Sequence, residues 1–286
     1  VDAVTKTATT GHVWDGIREL NTPLPAWWLW IFYMTIVWSV GYWIVYPSWP
    51  LVTSYTKGAF NWSSREALVS DLEALRAQRG PMVGKFAAAS LQEIVSDGQL
   101  LDFARAQGRP AFAENCAPCH GAGGGGGKGY PNLNDDDWIW GGKLEDIAQT
   151  IRHGIRSGDS EARSGPPMPD FGRDGMLKRT EIETVADYVR SLAGLAVDPK
   201  ADLAAGKAIF AQYCVSCHGE TGKGNREVGA PNLTDAIWLY GADKASIADS
   251  LWNGRAGVMP AWVSRLDDGT IKALTVYVHM LGGGEK

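Results

Sequence analysis

Cys116-Ala117-Pro118-Cys119-His120 and Cys214-Val215-Ser216-Cys217-His218 use all four cysteines of the chain in one spacing, C-x-x-C-H. Two thiols followed at once by an imidazole suit the covalent attachment of a c-type haem. The sulfurs can reach both vinyl groups of one porphyrin while the histidine presents a ring nitrogen to the iron. C-x-x-C alone also serves redox dithiols and zinc sites. A redox dithiol should open a helix in an alternating strand–helix setting, which the pattern lacks. A zinc site would draw on both pairs, yet they stand in separate repeats, and neither use explains a histidine after the second cysteine in both copies. The motifs predict two covalent haems c on Cys116, Cys119, Cys214 and Cys217, with His120 and His218 as axial iron ligands. The chemistry is then electron transfer.

A second axial ligand is expected from methionine on a stiff strap. Gly165-Pro166-Pro167-Met168-Pro169 and Gly257-Val258-Met259-Pro260 meet this need. Proline restricts both itself and the residue before it, so such a segment stays extended without help from a helix. His/Met ligation raises a haem's potential. The simplest assignment gives each methionine to the haem of its own repeat; an exchange between two packed repeats is the alternative. Met176 and Met280 are expected to pack as ordinary apolar side chains. His12, His153 and His279 are expected in surface or packing roles, because His153 aligns with Asn253 and His279 with Arg190, so no imidazole is kept between repeats.

The elements that must hold these residues also occur twice. Gly108-Arg109-Pro110-Ala111-Phe112 precedes the first motif and Gly206-Lys207-Ala208-Ile209-Phe210 the second. Pro131-Asn132-Leu133 and Pro231-Asn232-Leu233 follow them. Trp138, Trp140 and Gly141 then match Trp238, Tyr240 and Gly241, and Ile147, Ile151 and Gly154 match Ile247, Leu251 and Gly254. Each repeat closes on a helical run, Tyr188-Val189-Arg190-Ser191-Leu192 and Tyr277-Val278-His279-Met280-Leu281. This order resembles the small cytochrome c fold: a helix into the haem motif, a loop, a middle helix, a methionine loop and a closing helix. The haem itself would fill the centre of each module.

Residues 20–56 contain no charged side chain, and residues 26–46 are apolar or aromatic apart from Thr35, Ser39 and Gly41. At about 1.5 Å per residue that stretch matches the roughly 30 Å hydrocarbon core of a bilayer. Trp27, Trp28 and Trp30 gather at one end, and Trp43, Tyr46 and Trp49 at the other, as interfacial belts require. A cleaved signal peptide fits poorly: the span is long, no charged region adjoins it, and no small-residue cleavage site follows. A retained single membrane span is expected. Lysine and arginine show no bias across it; because haem c is attached on the oxidising side in bacteria, the repeats are expected in the periplasm and the N-terminus in the cytoplasm.

Ser63-Ser64-Arg65-Glu66 opens a helical stretch with Leu68, Leu72 and Leu75 in register, and residues 86–106 continue it. This region reads as a connector that packs on the first repeat, presents a docking surface, or does both. Residues 121–129 hold a glycine-rich surface loop without the G-K-[ST] of a phosphate loop. Gly282-Gly283-Gly284 reads as a loose tail, and Asp135-Asp136-Asp137 as a solvated loop or a patch for a basic donor protein. A net charge of −5 argues against nucleic-acid binding.

The run from Trp14 to Pro25, Trp-Asp-Gly-Ile-Arg-Glu-Leu-Asn-Thr-Pro-Leu-Pro, followed by Trp27-Trp28-Leu29-Trp30, resembles the CcoP/FixP family, the diheme subunit of cbb3-type cytochrome c oxidase. The resemblance spans the whole chain. It implies an all-α protein with one N-terminal transmembrane helix and two tandem cytochrome c-type, class I-like haem domains, anchored in a bacterial inner membrane. The expected division is 1–25 cytoplasmic segment, 26–46 span, 47–106 periplasmic connector, 107–195 first cytochrome c domain and 200–286 second. It also implies partners: a donor cytochrome c, the monohaem cytochrome c subunit and the catalytic haem-copper subunit. No catalytic centre is expected on this chain, since both axial positions of each iron have a candidate ligand. A free-standing anchored diheme shuttle and a diheme peroxidase are the competing readings; the peroxidase would need one iron with an open or displaceable site.

Overall fold

The computed structural model describes residues 1–286 and divides into two compact units, Val1–Gly80 and Pro81–Lys286. The first unit opens with a small antiparallel hairpin, β1 (Thr9–Trp14) and β2 (Ile17–Leu20), with Trp14 paired to Ile17 and Val13 to Arg18. Asp15 and Gly16 both take left-handed φ, +49° and +86°. That is the geometry of a two-residue type I′ turn, which Asp-Gly favours. Helix is otherwise the rule throughout.

Helix α1 (Ala26–Val45) starts directly after Pro25 and has a mean hydropathy of 1.5. None of its residues is buried in the protein, so its apolar surface requires a lipid or partner-helix environment. The hydroxyls of Thr35 and Ser39 are satisfied within the helix: Thr35 donates to the Phe32 carbonyl at 2.7 Å and Ser39 to the Thr35 carbonyl at 2.8 Å. Beyond Pro47 and Pro50 the chain turns back. The Ala59 and Phe60 amides donate to the Ile44 and Val45 carbonyls, satisfying acceptors that the helix end leaves free. Gly58 (φ +73°) permits this approach, since a Cβ there would collide with the Val45 carbonyl.

Helix α2 (Ser64–Ala88) is solvent-exposed over most of its length and contains Pro81 at the boundary between the units. Its end, through Phe86, enters the core of the second unit. Helix α3 (Leu91–Ser96) is fixed by a reciprocal capping box between Ser90 and Glu93, and Asp97 caps α4 (Gly98–Asn115). Then follow α5 (Ala117–His120), α6 (Leu144–His153), α7 (Arg179–Leu192), α8 (Leu203–Tyr213), α9 (Val215–His218), α10 (Lys244–Asn253) and α11 (Asp268–His279).

The helices pair across the repeats. Helix α4 of the first repeat packs on α11 of the second, and α6 also packs on α11, whereas α7 of the first repeat packs on α8 and α10 of the second. Two equivalent crossings result. Gly108 meets the Ala273 carbonyl and Tyr277, and Gly206 meets the Thr184 carbonyl and Tyr188; a Cβ at either glycine would collide. Phe112 lies against Tyr277 with ring centroids 5.3 Å apart, and Phe210 against Tyr188 at 5.5 Å. One core joins Phe112, Ile147, Ile151, Ile271, Leu274 and Val278; the other joins Ile182, Val185, Val189, Phe210, Ile247 and Leu251. Each of these two cores therefore draws its side chains from both repeats.

Candidate functional site

Each C-x-x-C-H motif sits on a single helical turn at the foot of a longer helix. Cys116 and Cys214 end α4 and α8, and the turns α5 and α9 carry the remaining cysteine and the histidine. All four thiols are free of disulfides. Burial pushes the Cys116 and Cys214 thiols up to about 11, so both stand as uncharged thiols beside their cores. The Nδ1 of His120 bonds the Pro131 carbonyl at 3.0 Å, and that of His218 bonds the Pro231 carbonyl at 3.0 Å. With Nδ1–H donating, the Nε2 lone pair is left for a metal. Burial lowers the His218 pKa against the opposing effect of that carbonyl, which keeps the ring neutral, the form that ligates.

The methionine straps reach these sites from the opposite repeat. Met259 packs against the core that holds Phe112, Ile147 and Cys116, while Met168 packs against the core that holds Phe210, Ile247 and Cys214. Both straps are fixed by reciprocal backbone hydrogen bonds. The Ile155 and Met259 amides donate to each other's carbonyls at 3.0 Å, and Met168 and Arg255 exchange bonds of 2.9 and 3.2 Å. Gly154 and Gly254 lie directly beneath the straps, where any Cβ would collide with the Met259 and Met168 backbones. The simplest expectation, each methionine beside the haem motif of its own repeat, is not what packing brings together.

The donor set fits haem c. Each site offers a thiol pair, a histidine with an oriented free nitrogen, and a methionine on the adjoining strap; Leu133 with Trp138, and Leu233 with Trp238, complete the apolar surroundings. His153 is not part of either set: its Nδ1 lies 2.9 Å from Asp159 and it braces the loop after α6.

Two regions differ from the sequence expectation. The C-terminal tail is docked, not loose. Glu285 forms a two-pronged pair with Arg226, at 2.6 and 3.1 Å, and bonds the Gly142 amide; Trp138 donates to the Gly283 carbonyl, and His279 contacts the Glu285 carbonyl at 2.8 Å. Glycine is needed there for close approach, since Cβ atoms on Gly283 and Gly284 would strike Asp135 and His279. The acidic loop is likewise only partly solvated. Burial, then the charges of Asp235 and Asp135, push the Asp137 carboxyl up to about 6.

A helical protein with cytochrome c repeats behind a bilayer-length apolar helix is a membrane-anchored c-type cytochrome. Residues 6–53 match the family "N-terminal domain of cytochrome oxidase-cbb3, FixP", residues 106–193 match "Cytochrome c", and residues 201–278 match "Cytochrome C oxidase, cbb3-type, subunit III". The chain is 60% identical over 285 residues to the cbb3-type cytochrome c oxidase subunit FixP of Bradyrhizobium sp. (strain ORS 278), covering 100% of this chain and 98% of that protein. It is 51% identical over 290 residues to the subunit CcoP of Azospirillum brasilense, covering 99% and 98%. The chain belongs to the FixP/CcoP family of cbb3-type cytochrome c oxidase subunits, whose cytochrome c domains imply covalently bound haem c.

Proposed function

We propose that the chain holds two haems c, one on Cys116 and Cys119 with His120 and Met259 as axial ligands, the other on Cys214 and Cys217 with His218 and Met168. The packing of each methionine against the same core as the haem-motif cysteine of the other repeat carries this reading. When bound, haem c supplies reversible one-electron chemistry. The protein's part is to fix the coordination. Pro131 and Pro231 orient the imidazoles, the paired straps hold the thioethers, and the apolar cores keep water from the ligands. Thioether donors favour the reduced iron, so both sites are suited to high potential.

In the membrane the chain accepts electrons from a donor cytochrome c and passes them through its two haems to the monohaem subunit, and thence to the haem-copper centre that reduces oxygen. Family membership and the apolar helix α1 support this role. Covalent haem attachment on the oxidising side supports periplasmic repeats and a cytoplasmic N-terminus. Native gel electrophoresis of mildly solubilised membranes, with haem staining and an in-gel oxidase assay, tests the assignment. Comigration of this chain with oxidase activity and a second c-type haem protein is expected. Migration alone, with no activity at its position, would instead identify a tethered shuttle.

A further inference from the structure

Arg156 follows the residue that pairs with Met259, and its side chain lies between the two methionine straps. Its Nε donates to the Gly257 carbonyl at 2.9 Å and its Nη1 to the Gly165 carbonyl at 3.5 Å. Gly257 stands two residues before Met259, and Gly165 three before Met168. The guanidinium carbon is also 6.0 Å from the centre of the Trp140 ring. The backbone of Arg156 is left-handed, with φ +48°, a conformation unfavourable for a residue with a Cβ. The aligned residue of the second repeat is Ala256, which has no group to reach either strap. The clamp is thus one-sided in a fold that is otherwise nearly two-fold.

We infer that Arg156 is a positioning residue that holds both methionine straps at once and so couples axial ligation at the two haems. The inference rests on the crossed His/Met assignment above. A planar guanidinium that is always charged can serve two carbonyls in a fixed relation. A methionine that leaves its iron must move its strap, and movement of either strap disturbs the donor that steadies the other. Gly165 adds to this, since it is pressed so closely on the Val228 carbonyl that a Cβ would collide. The first strap has little room to shift independently of the second repeat.

The test uses the full-length, haem-loaded chain in detergent, with imidazole as the competing iron ligand. Loss of the methionine-to-iron charge-transfer band reports displacement, and the two haems are distinguished by their reduction potentials. Arg156→Gly removes the guanidinium while relieving the left-handed backbone, and Arg156→Ala removes it without that relief. Both variants are expected to bind imidazole about tenfold more tightly at both haems, the loss of roughly one charge-assisted hydrogen bond. Arg156→Lys, with a single-point donor, is expected to recover part of the effect. Weakening at only one haem, or at neither, would overturn the clamp. Absence of the band from the unaltered chain would instead refute methionine ligation itself.

Discussion

Asp137 shows how one side chain can load the fold. Its folded pKa, about 6, lies above the ordinary value of 3.8, because burial and the carboxylates of Asp235 and Asp135 disfavour its charge. The native state therefore holds the proton more tightly than the unfolded chain does. The resulting stabilisation is present below pH 4 and is lost as pH rises towards 6. Asp137→Asn should raise stability at pH 7 by on the order of 1 kcal/mol, after discounting for solvent screening of this half-buried group. Denaturant titrations at pH 4 and pH 7 check this: the gain should nearly vanish at pH 4, and an equal gain at both values would rule out titration as its cause. The residues proposed as ligands are legible at this scale, since C-x-x-C-H and a proline-flanked methionine are local patterns. The state of Asp137 was not legible, because its burial, and after that the charge of Asp235 in the other repeat, depend on how the repeats pack.

Helices α4 and α8 must come close to their partners, and Gly108 and Gly206 allow this. Gly108→Ala should gain about 1 kcal/mol of helix propensity but lose more by overpacking against the Ala273 carbonyl, for a net cost of about 1–2 kcal/mol. Thermal unfolding of the haem-loaded chain measures it, and a neutral result would mean that the α4–α11 crossing is looser than described. Helix existence followed from periodicity and caps, and α1 (Ala26–Val45) lies almost exactly on the apolar run that marked it. The hairpin was missed, although Asp15-Gly16 between Val13-Trp14 and Ile17 is a recognised turn signal. The docked tail was missed for another reason: three consecutive glycines suit both flexibility and close backbone approach, and only the packing partners Asp135 and His279 decide between them.

Across the molecule, the two repeats share one order of elements, yet each of the two cores draws on both. Local sequence could not assign the partners, because α4 and α8 carry the same glycine and phenylalanine and α7 and α11 the same tyrosine. One cue was present. Helices α7 (Arg179–Leu192) and α8 (Leu203–Tyr213) are consecutive long helices, and elements consecutive in sequence usually lie side by side. A fragment of residues 160–256, which contains Met168, α7, α8, α9 and α10, should therefore fold around one haem when matured in the periplasm. A fragment of residues 107–195 should fail to do so, since the partner of its first helix, α11, is missing. Haem-stained yield and the methionine-to-iron band of each fragment provide the comparison. The most direct measurement is an experimental structure of the haem-loaded chain, resolved well enough to trace the iron–sulfur bonds. Met259 is expected on the iron of the haem bound to Cys116 and Cys119, and Met168 on that bound to Cys214 and Cys217. Methionine ligation within each repeat would contradict it.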